Sequence, residues 1–313
     1  MRPLLASLTF LAIAAVGQAP RTYFQLHRLA PGVFAAIDAP HSPAGSNAGF
    51  IIGSDGVVVV DTFESVDAAK ALLAAIRART KLPIRFVVNT HYHLDHVTGN
   101  QVFSDAGAEI IAQRNVHAWI HTDNLEFFGP HPNASQRARV AAYRAPDLGY
   151  NGDVTIWLGR REVDIRTLQG HTGSDSQVLV PDANVVFTGD LFWCRLLPNL
   201  IDASTATQIR SLTALASWPP HPATAIYVPG HGPLGHLADL RTARTYLVTL
   251  RRDISAARSR GLRGTAVVNA VLPELKAEYG TWADFNYFAQ HNIEQTAAEL
   301  AGDKRFPRAP AHP

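Results

Sequence analysis

Thr90-His91-Tyr92-His93-Leu94-Asp95-His96 packs three imidazoles and a carboxylate into the order H-x-H-x-D-H. Histidine is the commonest protein ligand for metals, and imidazole with carboxylate suits a borderline cation such as zinc. A solvated His-rich loop is the alternative, but so dense a run of ligand types is hard to explain without a metal. The cluster follows Ile84-Arg85-Phe86-Val87-Val88-Asn89, an apolar run that predicts a buried strand. The ligands then fall on a loop at a strand's carboxyl end, where open α/β sheets place their sites.

Outward from the cluster, Val57-Val58-Val59-Val60-Asp61 predicts a buried strand ending in a carboxylate, and residues 66–79 an Ala-rich helix. Residues 32–39 and 46–52 predict strands joined by the turn-rich His41-Ser42-Pro43-Ala44-Gly45. A short strand is expected at 109–112, and helices at 115–122 and 135–143, with an irregular stretch around Phe127, Phe128 and Gly129 between them. The second half predicts strands at 154–158, 162–168, 177–180, 185–188 and 225–228, and a helix at 205–217. From Leu237 onward the pattern is helical, interrupted at Gly261, Gly264 and Pro273. Strands and helices in each half predict an α/β (α+β) chain folded as a four-layer αββα sandwich with a C-terminal helical extension. The expected division is an export signal at 1–19, the sandwich at 20–240 and C-terminal helices at 241–313, the last few residues forming a loose tail.

The chain has 313 residues, 47% hydrophobic and 17% charged, which suits a globular protein with a substantial core. A net charge of +2 without a Lys/Arg block gives nucleic-acid binding no support. Arg2, the uncharged run from Leu4 to Val16, and the small residues Gly17 and Ala19 read as a cleavable signal. The expected location is therefore periplasmic or secreted, with no stable membrane insertion once the signal is removed. The single cysteine, Cys194, excludes an intramolecular disulfide and is read as a small buried apolar residue.

One loop cannot complete a zinc site, which takes three or four protein ligands. Three more candidates sit at strand ends, each preceded by glycine: His171 in Gln169-Gly170-His171-Thr172, Asp190 in Thr188-Gly189-Asp190, and His231 in Pro229-Gly230-His231. Each alone is weak. Together with Asp61 and the H-x-H-x-D-H cluster, from about Pro31 to Gly232, they resemble the metallo-β-lactamase-fold hydrolase superfamily at all five of its motifs. The resemblance implies that His91, His93 and His171 hold one metal, and that Asp95, His96 and His231 hold a second. It implies that Asp190 bridges the two and that Asp61 orients the cluster without being a ligand. The implied cofactors are two Zn2+, and the implied chemistry is attack on an acyl bond by a metal-bridging hydroxide. Asp95 then also acts as the catalytic proton carrier.

Aspartate at position 190 resembles lactonases, glyoxalase II and exported hydrolases associated with quinoprotein relay systems more than the zinc β-lactamases with a Cys ligand. β-Lactam hydrolysis stays possible. Glyoxalase II itself fits less well, because the chain reads as exported and its glutathione-binding tail is not recognisable. His93 favours zinc over a dinuclear iron redox centre. The alternative from another reaction class is a mononuclear Fe2+ persulfide dioxygenase of the same fold. The expected partner is a small-molecule substrate, with Phe192 and Trp193 as an apolar wall and Arg195 as a carboxylate anchor. The 41–47 loop is a candidate flap, and Phe127 and Phe128, or Tyr150 and Asn151, candidate cleft residues. His117 and His121, spaced i, i+4, are expected to be a surface pair. Oligomeric state and physiological substrate are not written in the sequence.

Overall fold

The computed structural model describes residues 22–307. The expected signal at 1–19 lies outside the described residues, as do residues 308–313 of the expected tail. The strands are β1 (Phe24–Ala30), β2 (Val33–Asp38), β3 (Ala48–Ile52), β4 (Val57–Val60), β5 (Ile84–Asn89), β6 (Glu109–Gln113), β7 (Leu148–Tyr150), β8 (Val154–Leu158), β9 (Arg161–Arg166), β10 (Gln177–Val180), β11 (Val185–Trp193) and β12 (Ile226–His231). The helices are α1 (Val66–Arg77), α2 (Leu94–Val97), α3 (Asn100–Asp105), α4 (Val116–Thr122), α5 (Ala134–Ala141), α6 (Thr205–Leu215), α7 (Leu237–Ser259), α8 (Thr265–Tyr279) and α9 (Phe285–Ala301).

β1 to β7 form one mixed sheet in chain order, and the second sheet runs β12-β11-β10-β9-β8. The period-2 alternation of side chains builds the layers. In β4, Val58 and Val60 join the core between the sheets, while Val57 and Val59 face α1 and α3 on the outside. In β10, Val178 and Val180 enter the core between the sheets, and Leu179 packs under the C-terminal helices. Strands covered on both faces read as unbroken apolar runs, as β4 does. The four layers are therefore α, β, β, α, as the sequence predicts.

α7, α8 and α9 share one core with α6 and the outer face of the second sheet, through Tyr246, Leu250, Val271, Tyr279 and Ile293. α7 begins just before the boundary expected at 240. Helix starts follow local chemistry: Ser65 caps α1, Ser204 caps α6, and Asn133 with Gln136 forms a capping box on α5. Among the described residues, no helix is long and apolar enough to cross a membrane.

The main departure near the site is β11. The strand expected to end at Thr188 runs on through Gly189 and Asp190 to Trp193, parallel to β12, with register shifts on either side of Gly189. Asp190 thus lies within the strand.

Candidate metal centre

The cluster follows β5 and wraps into α2. His171 sits on the β9–β10 connection, Asp190 in β11 and His231 at the end of β12. Four segments distant in sequence meet at one edge of the sandwich. Their ligand atoms fall into two groups, His91, His93, His171 and Asp190, and Asp95, His96 and His231, each group lying within 4.8 Å. Asp190 spans them. Its Oδ2 lies 3.3 Å from Nε2 of both His171 and His231 and 3.9 Å from Nε2 of His91, while Oδ1 lies 3.1 Å from Nε2 of His96. Asp95 Oδ2 lies 3.2 Å from Nε2 of His231 and 3.4 Å from Nε2 of His96.

Nε2 of His91, Nε2 of His96 and Oδ1 of Asp190 are buried and make no hydrogen bond. Buried polar atoms left without partners are costly, and a pair of cations, one in each group, would satisfy all three. The donor set of five imidazoles and two carboxylates fits a pair of divalent cations of the borderline class.

The carboxylates behave as cation holders. Burial opposes ionisation of Asp190, but His231, His96 and His171 outweigh it and hold the carboxyl well below its ordinary range. Asp95 is likewise held low against burial, by His96 and His231. Burial would depress His96, but Asp190, Asp95 and Asp61 raise its imidazole well above the ordinary value; His231 rises to about 9 against the same penalty through Asp190 and Asp95. Burial takes His171 down to about 3 and keeps His91 low as well. The carboxylates thus favour positive charge at His96 and His231, which is the charge that bound cations would supply.

An outer ring fixes the rings. Asp61 accepts from Nδ1 of His96 at 2.8 Å, from the Thr90 amide at 2.8 Å and from the Thr90 hydroxyl at 2.7 Å, which leaves Nε2 of His96 facing the cluster. Asp61 itself adopts φ +57, a left-handed conformation that aspartate tolerates better than most residues. Asp175 accepts from the amides of Gly170, His171 and Thr172 at 2.7, 2.8 and 2.9 Å and so shapes the turn carrying His171; burial pushes its carboxyl up to about 7. Asp202 accepts from Nε2 of His93 at 3.0 Å, which leaves Nδ1 as the cluster-facing atom, 3.1 Å from Nε2 of His171. Asp202 and Asp175 are absent from the sequence reading. Asp202 follows no strand signature and stands far along the chain from His93.

The glycines act in two ways. Gly170 and Gly189 have positive φ, as a tight turn into the site requires, whereas Gly230 is needed for space: an added Cβ there would overlap Oδ1 of Asp190.

A cleft of about 240 Å3 opens onto the centre beside His93, Asp95, Asp190 and His231. Trp193 lines it, as expected, with its ring 3.9 Å from that of His231, and Phe127 lines it with its ring 4.9 Å from that of His93. Phe192 and Arg195 are corrections. Alternation along the extended β11 turns Phe192 into the core beneath α7, and Arg195, at φ +62, points outward and pairs with Asp239 at 3.2 Å. Cys194 is buried in the same core. Phe128 packs beside Val140, and Tyr150 is buried, donating to the Ser176 hydroxyl. The 41–47 loop is pinned: Asn47 donates to the carbonyls of Pro229 and Gly232 at 2.9 Å each, and Ser46 donates to the Asp95 carbonyl at 2.6 Å. The cleft also takes Tyr287 and Phe288 from α9, which no sequence motif announces.

Comparison with known proteins agrees with this geometry. The Metallo-beta-lactamase superfamily model matches residues 41–231. Hydroxyacylglutathione hydrolases of Brucella ovis and Brucella abortus are 28% identical over 215 residues, covering 68% of this chain and 70% of theirs. Among solved structures, a metallo-beta-lactamase from Pontibacter korlensis superposes with a TM-score of 0.58 at 20% identity, over 72% of this chain and 99% of that one. The DIM-1 metallo-beta-lactamase does so with a TM-score of 0.57 at 18% identity, over 73% of this chain and 98% of its own. At these identities the solved structures bear on the fold alone.

Proposed function

This chain belongs to the metallo-beta-lactamase superfamily, and from that premise we propose that it is a dizinc hydrolase that cleaves an acyl bond, in an ester, lactone or β-lactam, of a small molecule. The observation that carries the proposal is the set of buried, unpartnered ligand atoms around Asp190. His91, His93 and His171 would hold one ion, Asp95, His96 and His231 the other, with Asp190 shared. Ions held there would supply an activated water at neutral pH and a Lewis acid for the scissile carbonyl.

The chain's own groups do the rest. Asp61, Asp175 and Asp202 keep the imidazoles in the ligating tautomer and orientation, an arrangement that costs nothing further when substrate arrives. Asp95 is the more accessible of the two carboxylates in the cluster, its side chain 19% exposed against 2% for Asp190. It faces the cleft, so it is the group placed to take a proton from the attacking water and pass it to the leaving atom. The Brucella relatives, named for a thioester substrate, support an acyl bond as the target class. The run from Leu4 to Val16 behind Arg2 supports export to the periplasm or medium.

The test is hydrolysis of a neutral ester, a lactone, a thioester and a chromogenic cephalosporin by zinc-loaded wild type and Asp95→Ala. Turnover of at least one class, reduced about 100-fold or more in the variant, supports the proposal. Turnover undiminished in Asp95→Ala contradicts it.

A further inference from the structure

We propose that the substrate is an uncharged acyl compound, an ester or lactone with an aromatic or similarly flat apolar group, selected by an aromatic slot to which the C-terminal helix contributes. The proposal rests on the hydrolase reading above and names the substrate class of that same cleft.

The first observation is the slot. Phe127 stands on one side, against His93, and Trp193 on the other, against His231. Phe288 meets Trp193 edge-on with ring centroids 5.8 Å apart, and Tyr287 meets Phe288 edge-on at 4.7 Å. Tyr287 is 79% exposed and Phe127 36% exposed, although both are large aromatics. Two exposed rings at the mouth of a cleft, beside two more sheltered rings within it, present flat apolar surface that a substrate ring would cover.

The second observation is charge. The acidic side chains lining the cleft, among the described residues, are Glu64, Asp95 and Asp190, and no lysine or arginine lines it. Arg195 is turned away onto Asp239, and Arg139, which pairs with the cleft's Glu64 at 3.1 Å, is already engaged. Carboxylate recognition relies on cationic donors, typically the arginine fork. A substrate anion remote from the reacting carbonyl would find no such partner and would face Glu64. A β-lactam nucleus with its carboxylate, or a glutathione thioester with two, is therefore disfavoured.

The third observation is size. At about 240 Å3 the cleft falls just below the usual ~300–1,000 Å3 of ligand sites, room for one ring and a reacting acyl group.

The test compares three methyl esters by acid release on the zinc-loaded protein: methyl phenylacetate, methyl butanoate and the anionic monomethyl ester of succinate. The chromogenic cephalosporin serves as a fourth substrate. Methyl phenylacetate is expected to exceed monomethyl succinate in kcat/KM by at least about tenfold. Tyr287→Ala and Phe127→Ala, both at exposed positions, are expected to cost methyl phenylacetate at least about fivefold more than they cost methyl butanoate, mostly through KM. Tyr287→Lys is expected to narrow the gap between the phenylacetate and succinate esters by about tenfold. Saturation-transfer NMR should show phenylacetamide binding to wild type and lose the signal in Tyr287→Ala. Equal or better turnover of monomethyl succinate by wild type, or equal losses on all esters in the alanine variants, overturns the substrate class and leaves the hydrolase standing. Cleavage of the cephalosporin alone does the same. No turnover of any of the four overturns this inference, and the hydrolase reading falls with it only if a lactone and a thioester also go uncleaved.

Discussion

Oδ2 of Asp202 lies 3.0 Å from Nε2 of His93, and the same oxygen accepts from the Tyr92 hydroxyl at 2.6 Å. The carboxylate is nearly buried, and His93 with Tyr92 holds it ionised below the ordinary range against the penalty of burial. It pins the one histidine that faces the cluster through Nδ1. Asp202→Ala should therefore lower zinc affinity about 10–100-fold while the ligands themselves stay intact. Titration against a competing chromogenic chelator reads this directly, and wild-type affinity in the variant would reduce Asp202 to a structural role.

Gly230 tests how finely Asp190 is placed. A methyl group there would overlap Oδ1 of Asp190 and crowd its backbone amide at 2.9 Å. Gly230→Ala should cost at least about 100-fold in kcat/KM while far-ultraviolet circular dichroism stays that of wild type. Near-wild-type turnover would mean that the shared carboxylate has freedom that the packing denies.

Glu299 of α9 clamps the start of α6, just beyond Asp202. It accepts from the amides of Thr205 and Ala206 at 3.0 and 3.2 Å and pairs with Arg251 at 3.0 Å. Those donors hold its pKa below the ordinary value despite the cost of burial. A depressed folded pKa means that its stabilisation is fully present above the unfolded carboxylate range and fades as pH falls through the folded value. Glu299→Gln should cost about 1–3 kcal/mol in urea unfolding at neutral pH, and the gap to wild type should shrink in acid. A gap that is constant with pH would show that the charge contributes nothing.

Cys194 is fully buried, and burial pushes its thiol up to about 12. The folded protein should therefore give no reaction with a disulfide reagent at mildly alkaline pH, and one thiol per chain after denaturation. Rapid labelling of the folded chain would place the sulfur near solvent, and therefore near the cleft.

The parts of this molecule that were legible in the sequence are those with a local signature. Val57–Val60 reads as a doubly covered strand because every side chain is apolar, and the His cluster stands out because it directly follows the apolar run of β5. β1 did not read as a strand because it lies at the sheet edge, half exposed, with His27 and Arg28 among its residues. The difference between Trp193 and Phe192 was lost because β11 continues past Asp190, and only the extended strand's alternation decides which aromatic meets His231. Asp175 belongs to the turn that carries His171; Asp202, Tyr287 and Phe288 carry no spacing rule at all. They reach the site through tertiary packing of the loop before α6 and of α9, which no local pattern encodes.

The central proposal is that seven side chains gathered from four segments hold two zinc ions that the reaction needs. The direct measurement is metal content of the purified chain by elemental analysis, with ester turnover on the same sample, for wild type and Asp190→Ala. The account predicts two zincs per wild-type chain with turnover, and loss of both metal and turnover when the shared carboxylate is removed. One iron per chain with oxygen uptake on a persulfide, or full turnover in Asp190→Ala, would contradict it.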